Sequence, residues 1–429
     1  MTCSARTERS AHPEPSASGA HDQHHHRHLP ADTNPAGPAA ARRSHLRLVD
    51  DIVDDVGGEP RSTPHDARHL VRDGAIQHAA LGAIDLELGG HLAEVTLAYR
   101  TWGDLNAAGD NAVLICHALT GDSLAGGPGG WWEPVIGPGK ALDTDDRFVV
   151  CANVLGGCQG STGPPSNDSE TGRPYAMRFP LITIGDIVAA QRRLMEHLGV
   201  TKLVATGGSI GGFQALEWAT RHPDLVAGAI PIAASESLGA QGIALHGEIG
   251  RRAIMADPDW RGGDYEAAGT VPAHGLAIAR MAAMVTYHSR QSLGERFGRQ
   301  PATRPTIYPA FGPTFDVEGY LHYHGEALVR RFDANSYLYL TRAMDLYDAG
   351  RDGGLSHWLD QIAAPVLMIG ISSDWLFPPN EVKALADCIA AHGKDAAYVE
   401  IDSANGHDAF LKDWDDLTPI VARFMDRIR

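Results

Sequence analysis

The sequence predicts an α/β fold with a mostly parallel sheet and an inserted helical segment, on three observations. First, Gly207-Gly208-Ser209-Ile210-Gly211-Gly212 follows the apolar run Leu203-Val204-Ala205 and opens a helical stretch, Phe213 to Thr220, that stops at His222-Pro223. A strand that turns sharply into a helix holds one residue in strained backbone beside small neighbours. Gly207 and Gly211 therefore leave room, and the Ser209 hydroxyl points into a cleft, as in a nucleophile elbow. Second, short β-rich runs alternate with helical periodicity around this turn. Third, a long helical stretch interrupts the alternation, which resumes near the C-terminus.

The elements follow in order. Residues 1–75 are rich in Ala, Pro, Ser, His and charge, without sustained apolar periodicity. Such a stretch buries too little surface to offset chain entropy, so a disordered leader is expected, its His24-His25-His26 cluster part of a solvated polar tract. The first part of the core, 76–234, carries the strand-like runs Val95 to Tyr99, Ala112 to Cys116, Phe148 to Cys151 and Leu203 to Ala205, with a helical stretch from Ile184 to Leu198. Residues 235–359 read as a helical lid insertion, with helical periodicity from Gly275 to Val285 and from Ser336 to Tyr347. The second part of the core, 360–429, contains the runs Val366 to Ile369 and Ala397 to Ile401, separated by a helical segment from Val382 to Ala391.

Composition narrows the function. The 53 acidic against 36 basic side chains give a net charge of −17, and no Lys/Arg-rich run offsets it, which disfavours nucleic-acid binding. Five cysteines (Cys3, Cys116, Cys151, Cys158, Cys388) lack zinc-ligand spacing, and their odd, scattered count does not resemble a disulfide framework, so a reducing compartment is expected. No run approaches 18 apolar residues and the N-terminus lacks signal-peptide organisation, so a cytoplasmic protein without membrane association is expected. No metal site, phosphate loop or redox motif is evident, and no bound cofactor is expected.

A serine hydroxyl becomes a useful nucleophile only when a base accepts its proton and a carboxylate orients that base. In strand-turn-helix sites of this kind the chain order is Ser, Asp, His. Asp374 lies just beyond the run ending at Ile369, and His407 just beyond the run ending at Ile401, where open α/β sheets assemble their sites. Ser209, Asp374 and His407 are therefore the candidate catalytic set. The loop His117-Ala118-Leu119-Thr120-Gly121 follows the run ending at Cys116, and its Leu119 N–H, with that of Ile210, is the candidate oxyanion hole.

Longer motifs carry a resemblance. These are Leu119-Thr-Gly-Asp-Ser123, Gly130-Trp-Trp132, Ile136-Gly-Pro-Gly-Lys-Ala-Leu-Asp143 and Asn153-Val-Leu-Gly-Gly-Cys-Gln-Gly-Ser-Thr-Gly163. Further on stand Gly207-Gly-Ser-Ile-Gly-Gly-Phe-Gln-Ala-Leu-Glu-Trp218, Arg252-Ala-Ile-Met-Ala-Asp-Pro-Asp-Trp260, the run from Phe332 to Asp345, and Gly406-His-Asp408. Together they resemble the homoserine O-acetyltransferases, from about residue 85 to the C-terminus. The resemblance implies an α/β-hydrolase fold with a helical lid, a homodimer assembled through the lid, and a ping-pong reaction. In that reaction Ser209 takes the acyl group from acetyl-CoA and passes it to the hydroxyl of L-homoserine, a step toward methionine. CoA is then a co-substrate. It also implies that Arg280 and Asp408 hold the amino acid, an arginine fork suiting the α-carboxylate and a carboxylate the α-ammonium. Tyr287, two helical turns after Arg280, shares its face and joins that pocket.

Several positions depart from the family pattern. Ile210 and Phe213 stand where methionines are usual, the segment Gly163 to Tyr175 carries a second proline, and Gly185 stands where an arginine is common. These changes leave the reaction type in place and leave open the donor, acetyl-CoA or succinyl-CoA, and the acceptor, homoserine or serine. An esterase on the same fold is the other reading, because fold and triad alone do not separate hydrolysis from transfer.

Overall fold

The computed structural model describes residues 74–302 and 312–428. The expected leader, with His24-His25-His26, lies outside the described residues up to position 73. Gly74 already donates its N–H to the Thr101 carbonyl at 3.1 Å.

Eight strands form one sheet: β1 (Gln77–Asp85), β2 (His91–Trp102), β3 (Ala112–Cys116), β4 (Phe148–Ala152), β5 (Leu203–Gly208), β6 (Val226–Ile232), β7 (Val366–Ile371) and β8 (Ala396–Ile401). Their spatial order is β1-β2-β4-β3-β5-β6-β7-β8. β2 pairs antiparallel with both β1 and β4, and every pairing from β4 to β8 is parallel. Every residue of β3, β4, β5 and β7 is buried, as expected of parallel strands covered on both faces. Alternate residues enter opposite layers: Ala112, Leu114 and Cys116 join one apolar cluster, Val113 and Ile115 the other.

Two helices flank the elbow. α1 (Ile184–Leu198) begins in a capping box, with the Asp186 N–H donating to Thr183 Oγ1 and the Thr183 N–H donating to the Asp186 carboxylate. α2 (Ile210–Arg221) follows Ser209 directly. Between β6 and β7 the chain runs through helices that include Ala273–Tyr287, Asp316–Val329 and Ala334–Leu346. A π-helical stretch, Ile243–Gly250, precedes them. β1 and β6 have no counterpart among the strand-like runs read from the sequence. β1 is mostly exposed or half-buried and carries a bulge at Gly82, while β6 contains Gly228 and Pro231, which mask a strand pattern.

Candidate active site

The chain reverses from β5 into α2 on a single residue, and Ser209 takes φ 62° and ψ −126° to do so. An L residue in such a conformation costs about 1–3 kcal/mol and needs the surroundings to hold it. Here the Ser209 N–H donates to the Ile232 carbonyl at 2.9 Å, tying the turn to β6. A Cβ on Gly207 would stand 2.2 Å from the Cys116 carbonyl oxygen, and one on Gly211 only 2.1 Å from the same atom. Backbone cannot retreat as a flexible side chain can, so both positions require glycine. The Ser209 side chain makes no capping bond to the helix it opens.

Asp374 lies three residues after β7 and His407 six after β8, and the two loops bring them together: His407 Nδ1 and Asp374 Oδ2 are 2.7 Å apart. The other carboxylate oxygen accepts the N–H groups of Leu376 at 2.9 Å and Phe377 at 3.0 Å, which fixes the Asp374 side chain. Both side chains are almost completely buried. Burial opposes a charge on His407, but the Asp374 carboxylate outweighs it and raises the imidazole above its ordinary pKa. With Nδ1 committed to Asp374, Nε2 is buried without a partner among the described residues. The ring is packed between Phe377 and Tyr287, and Phe410 meets it edge-on. Phe410 also fills the space where a Cβ on Gly208 would stand, and Phe377 packs edge-on against Phe213 of α2. One shell of aromatic rings therefore joins the residues around Ser209 to His407.

The loop after β3 is braced by His117. Its Nε2 accepts the Val154 N–H at 3.1 Å, so the ring proton resides on Nδ1 and is donated to the Ala118 carbonyl at 2.8 Å. Burial lowers its pKa. Among the described residues the N–H groups of Leu119 and Ile210 have no acceptor. Arg331 Nη1 donates to the Thr120 carbonyl at 2.7 Å and Arg280 Nη1 to Thr120 Oγ1 at 3.2 Å, so the segment between β6 and β7 anchors this loop.

Arg280 and Tyr287 share a face as their spacing requires, with the guanidinium carbon 5.5 Å from the Tyr287 ring centroid. Arg280 Nε is buried and has no partner among the described residues. Burial pushes the Tyr287 hydroxyl up to about 12. Asp408 is paired to Lys412 at 3.1 Å, one helical turn on. Burial works to raise its pKa, yet Lys412, His288 and His407 together hold it below the ordinary carboxylate value. The sequence reading did not pick out three further residues. His117 and its bracing role were detectable only as a histidine at a strand end. Arg331 is 211 positions from its partner Thr120, and nothing local announces it. Lys412 stands four residues after Asp408, the one spacing signal that was available.

Among the described residues no group of His, Cys, Asp and Glu side chains is arranged to hold a metal ion, and no helix is long and apolar enough to cross a membrane.

An eight-stranded, mostly parallel sheet with a serine elbow after β5 and a buried Asp–His pair beyond β7 and β8 defines a class. The chain matches the alpha/beta hydrolase fold family over residues 111–413 and belongs to it. Within that class it is 48% identical over 350 residues to the homoserine O-acetyltransferase of Rhodospirillum rubrum, covering 80% of this chain and 89% of that one. The crystal structure of homoserine O-acetyltransferase from Bacillus anthracis superposes with a TM-score of 0.77 at 29% identity, over 82% of this chain and 98% of the other. The esterase E22 structure gives 0.75 at 27% identity, over 82% and 99%. The chain belongs to the homoserine O-acetyltransferase family, and it is a transferase.

Proposed function

We propose that the protein transfers an acetyl group from acetyl-CoA to the hydroxyl of L-homoserine, as a step of methionine biosynthesis, through an acyl-enzyme on Ser209. The observation that carries this reading is the buried Asp374–His407 pair, whose one uncommitted nitrogen is walled by the same aromatic rings that pack around the elbow. His407 Nε2 takes the Ser209 proton as Oγ attacks the thioester carbon, and the carbon–sulfur bond breaks as His407 returns the proton to the CoA sulfur. Homoserine then enters, His407 deprotonates its hydroxyl, and the new ester leaves while Ser209 recovers its proton. The Leu119 and Ile210 N–H groups receive the oxyanion in both tetrahedral states. Asp374 holds the imidazole in the tautomer that presents a bare Nε2 and stabilises its charged form.

Arg280 is assigned to the α-carboxylate and Asp408 to the α-ammonium, with Tyr287 between Arg280 and His407. Lys412 already sits on Asp408, so the ammonium joins or displaces that contact when the amino acid binds. CoA acts as a co-substrate, and no bound cofactor is invoked. The helices between β6 and β7 act as a lid that keeps water from the acyl-enzyme. They carry Ile243, Ile249, Met255, Ile278 and Val285 exposed, an apolar surface that supports assembly of a cytoplasmic homodimer through them.

The likeness to esterase E22 favours hydrolysis as the second reading. Incubating the protein with acetyl-CoA or succinyl-CoA against L-homoserine or L-serine, following thiol release and weighing the product separates the cases. Acetylated homoserine as the fastest product supports the proposal. Another donor and acceptor pair changes the substrate, and thiol release with no acylated amino acid makes the protein a hydrolase.

A further inference from the structure

Thr120 links the loop that carries Leu119 to the helix that carries Arg280. In that loop the Gly121 N–H donates to the Ala118 carbonyl at 2.9 Å, closing a tight turn with Leu119 and Thr120 at its centre. His117 Nδ1 donates to the same Ala118 carbonyl at 2.8 Å, and Arg331 Nη1 donates to the Thr120 carbonyl at 2.7 Å. Three bonds therefore hold the backbone of this turn, and none of them uses the Thr120 side chain. That side chain is nonetheless buried, and its hydroxyl oxygen accepts from Arg280 Nη1 at 3.2 Å, across 160 positions of sequence. The turn keeps its place without this bond, so the bond serves the arginine.

Ordering a long arginine side chain costs rotamer entropy, and an arginine that is already held binds its ligand without that cost. A hydroxyl suits the task. It orients the guanidinium without cancelling its charge, which stays available to a carboxylate. We propose that Thr120 is a positioning residue for the acceptor, its hydroxyl holding the Arg280 guanidinium in the orientation that receives the α-carboxylate of the amino acid. The inference rests on the reading of Arg280 as the anchor of that carboxylate, and the experiment separates the two.

Thiol release from acetyl-CoA is followed while L-homoserine is titrated, in the wild type, Thr120→Val, Thr120→Ser, Arg280→Ala and the Thr120→Val/Arg280→Ala double variant. Valine keeps the branched shape of threonine and all three backbone bonds, so the turn is retained. Thr120→Val is expected to raise KM for homoserine about 3- to 10-fold and to leave the acyl-enzyme burst with acetyl-CoA alone unchanged. Thr120→Ser, which supplies the hydroxyl again, is expected to keep the wild-type KM. In the double variant the valine adds no further rise to that of Arg280→Ala, because the bond is already gone. If Arg280→Ala raises KM and Thr120→Val does not, the proposal alone falls. It also falls if Thr120→Val damages the burst equally, if serine fails to restore KM, or if the two losses multiply in the double variant. An Arg280→Ala variant with unchanged KM, or a wild type that acylates no amino acid, brings down the reading of Arg280 and the proposal with it.

Discussion

Tyr287 lies against His407, the ring centroids 5.9 Å apart and the planes within 29°. Tyr287 ends the helix Ala273–Tyr287, while His407 lies in the short helical turn Gly406–Leu411 beyond β8, so this stack joins the helices inserted after β6 to the imidazole of the core. Replacing Tyr287 by alanine removes one wall of the ring and is expected to cost about 3–5 kcal/mol of stability and to lower kcat. Tyr287→Phe keeps the wall and is expected to restore most of both. Urea midpoints and initial rates of the two variants measure this, and equal losses in both would assign the role to the hydroxyl instead.

Ser209→Ala is expected to abolish acyl-enzyme formation and to reduce transfer on the order of 10⁶-fold, while leaving the fold intact. Mass spectrometry after mixing with acetyl-CoA alone shows whether an acetyl adduct forms. An adduct in the alanine variant would place the nucleophile elsewhere.

Asp374 raises the pKa of His407 against the effect of burial, and an imidazole can accept a proton only when neutral. Asp374→Asn is therefore expected to move the acidic limb of kcat/KM to lower pH while the rate falls about 10⁴-fold, because the imidazole loses its tautomer and its counter-charge. The pH–rate profile of the variant decides the matter, and a limb that stays in place argues that another group controls it.

Arg280 carries a buried Nε without a partner among the described residues and donates to Thr120 Oγ1 from another nitrogen. Arg280→Ala is expected to raise KM for the amino acid roughly 10- to 100-fold, the loss of about 1.5–3 kcal/mol for a charge-assisted contact, and to spare the acyl-enzyme burst. Burst kinetics separate the half-reactions, and equal damage to both would refute an amino-acid role.

Three buried histidines, His117, His246 and His288, make the fold acid-sensitive, burial lowering His288 to about 4. His246 lies in the π-helical stretch, and burial lowers its pKa to about 3. Burial also lowers that of His117. The Thr286 hydroxyl donates to the Ala283 carbonyl and so accepts the His246 Nε2–H, which leaves Nδ1 bare and without a partner among the described residues. Below the unfolded value near 6.5 the unfolded chain binds protons that the folded chain does not, so stability falls as pH drops from there toward 3. The slope is about 1.4 kcal/mol per pH unit for each such histidine, and His407, shifted upward, opposes it only near and above neutrality. Unfolding at pH 7, 6 and 5 gives the slope, and a flat profile would mean that these rings accept protons without unfolding.

The sequence alone determined whatever depends on local pattern. The glycines around Ser209 announced the elbow because only a glycine tolerates a carbonyl at 2.1 Å. Uniformly apolar β3 and β4 and the apolar runs that open β5 and β7 announced buried strands, and helical periodicity announced Ile184–Leu198. Asp374 and His407 were legible as candidates because both stand just beyond strand ends. What only the tertiary structure decided depends on chain segments far apart in sequence. β1 and β6 lack strong strand patterns and become strands by pairing with their neighbours, a long-range gain that no local window contains. The 2.7 Å contact between Asp374 and His407 and the pairing of Arg331 with Thr120 likewise arise when separate loops and helices pack. Spacing along the chain names the groups, and packing alone sets the distances on which their chemistry depends.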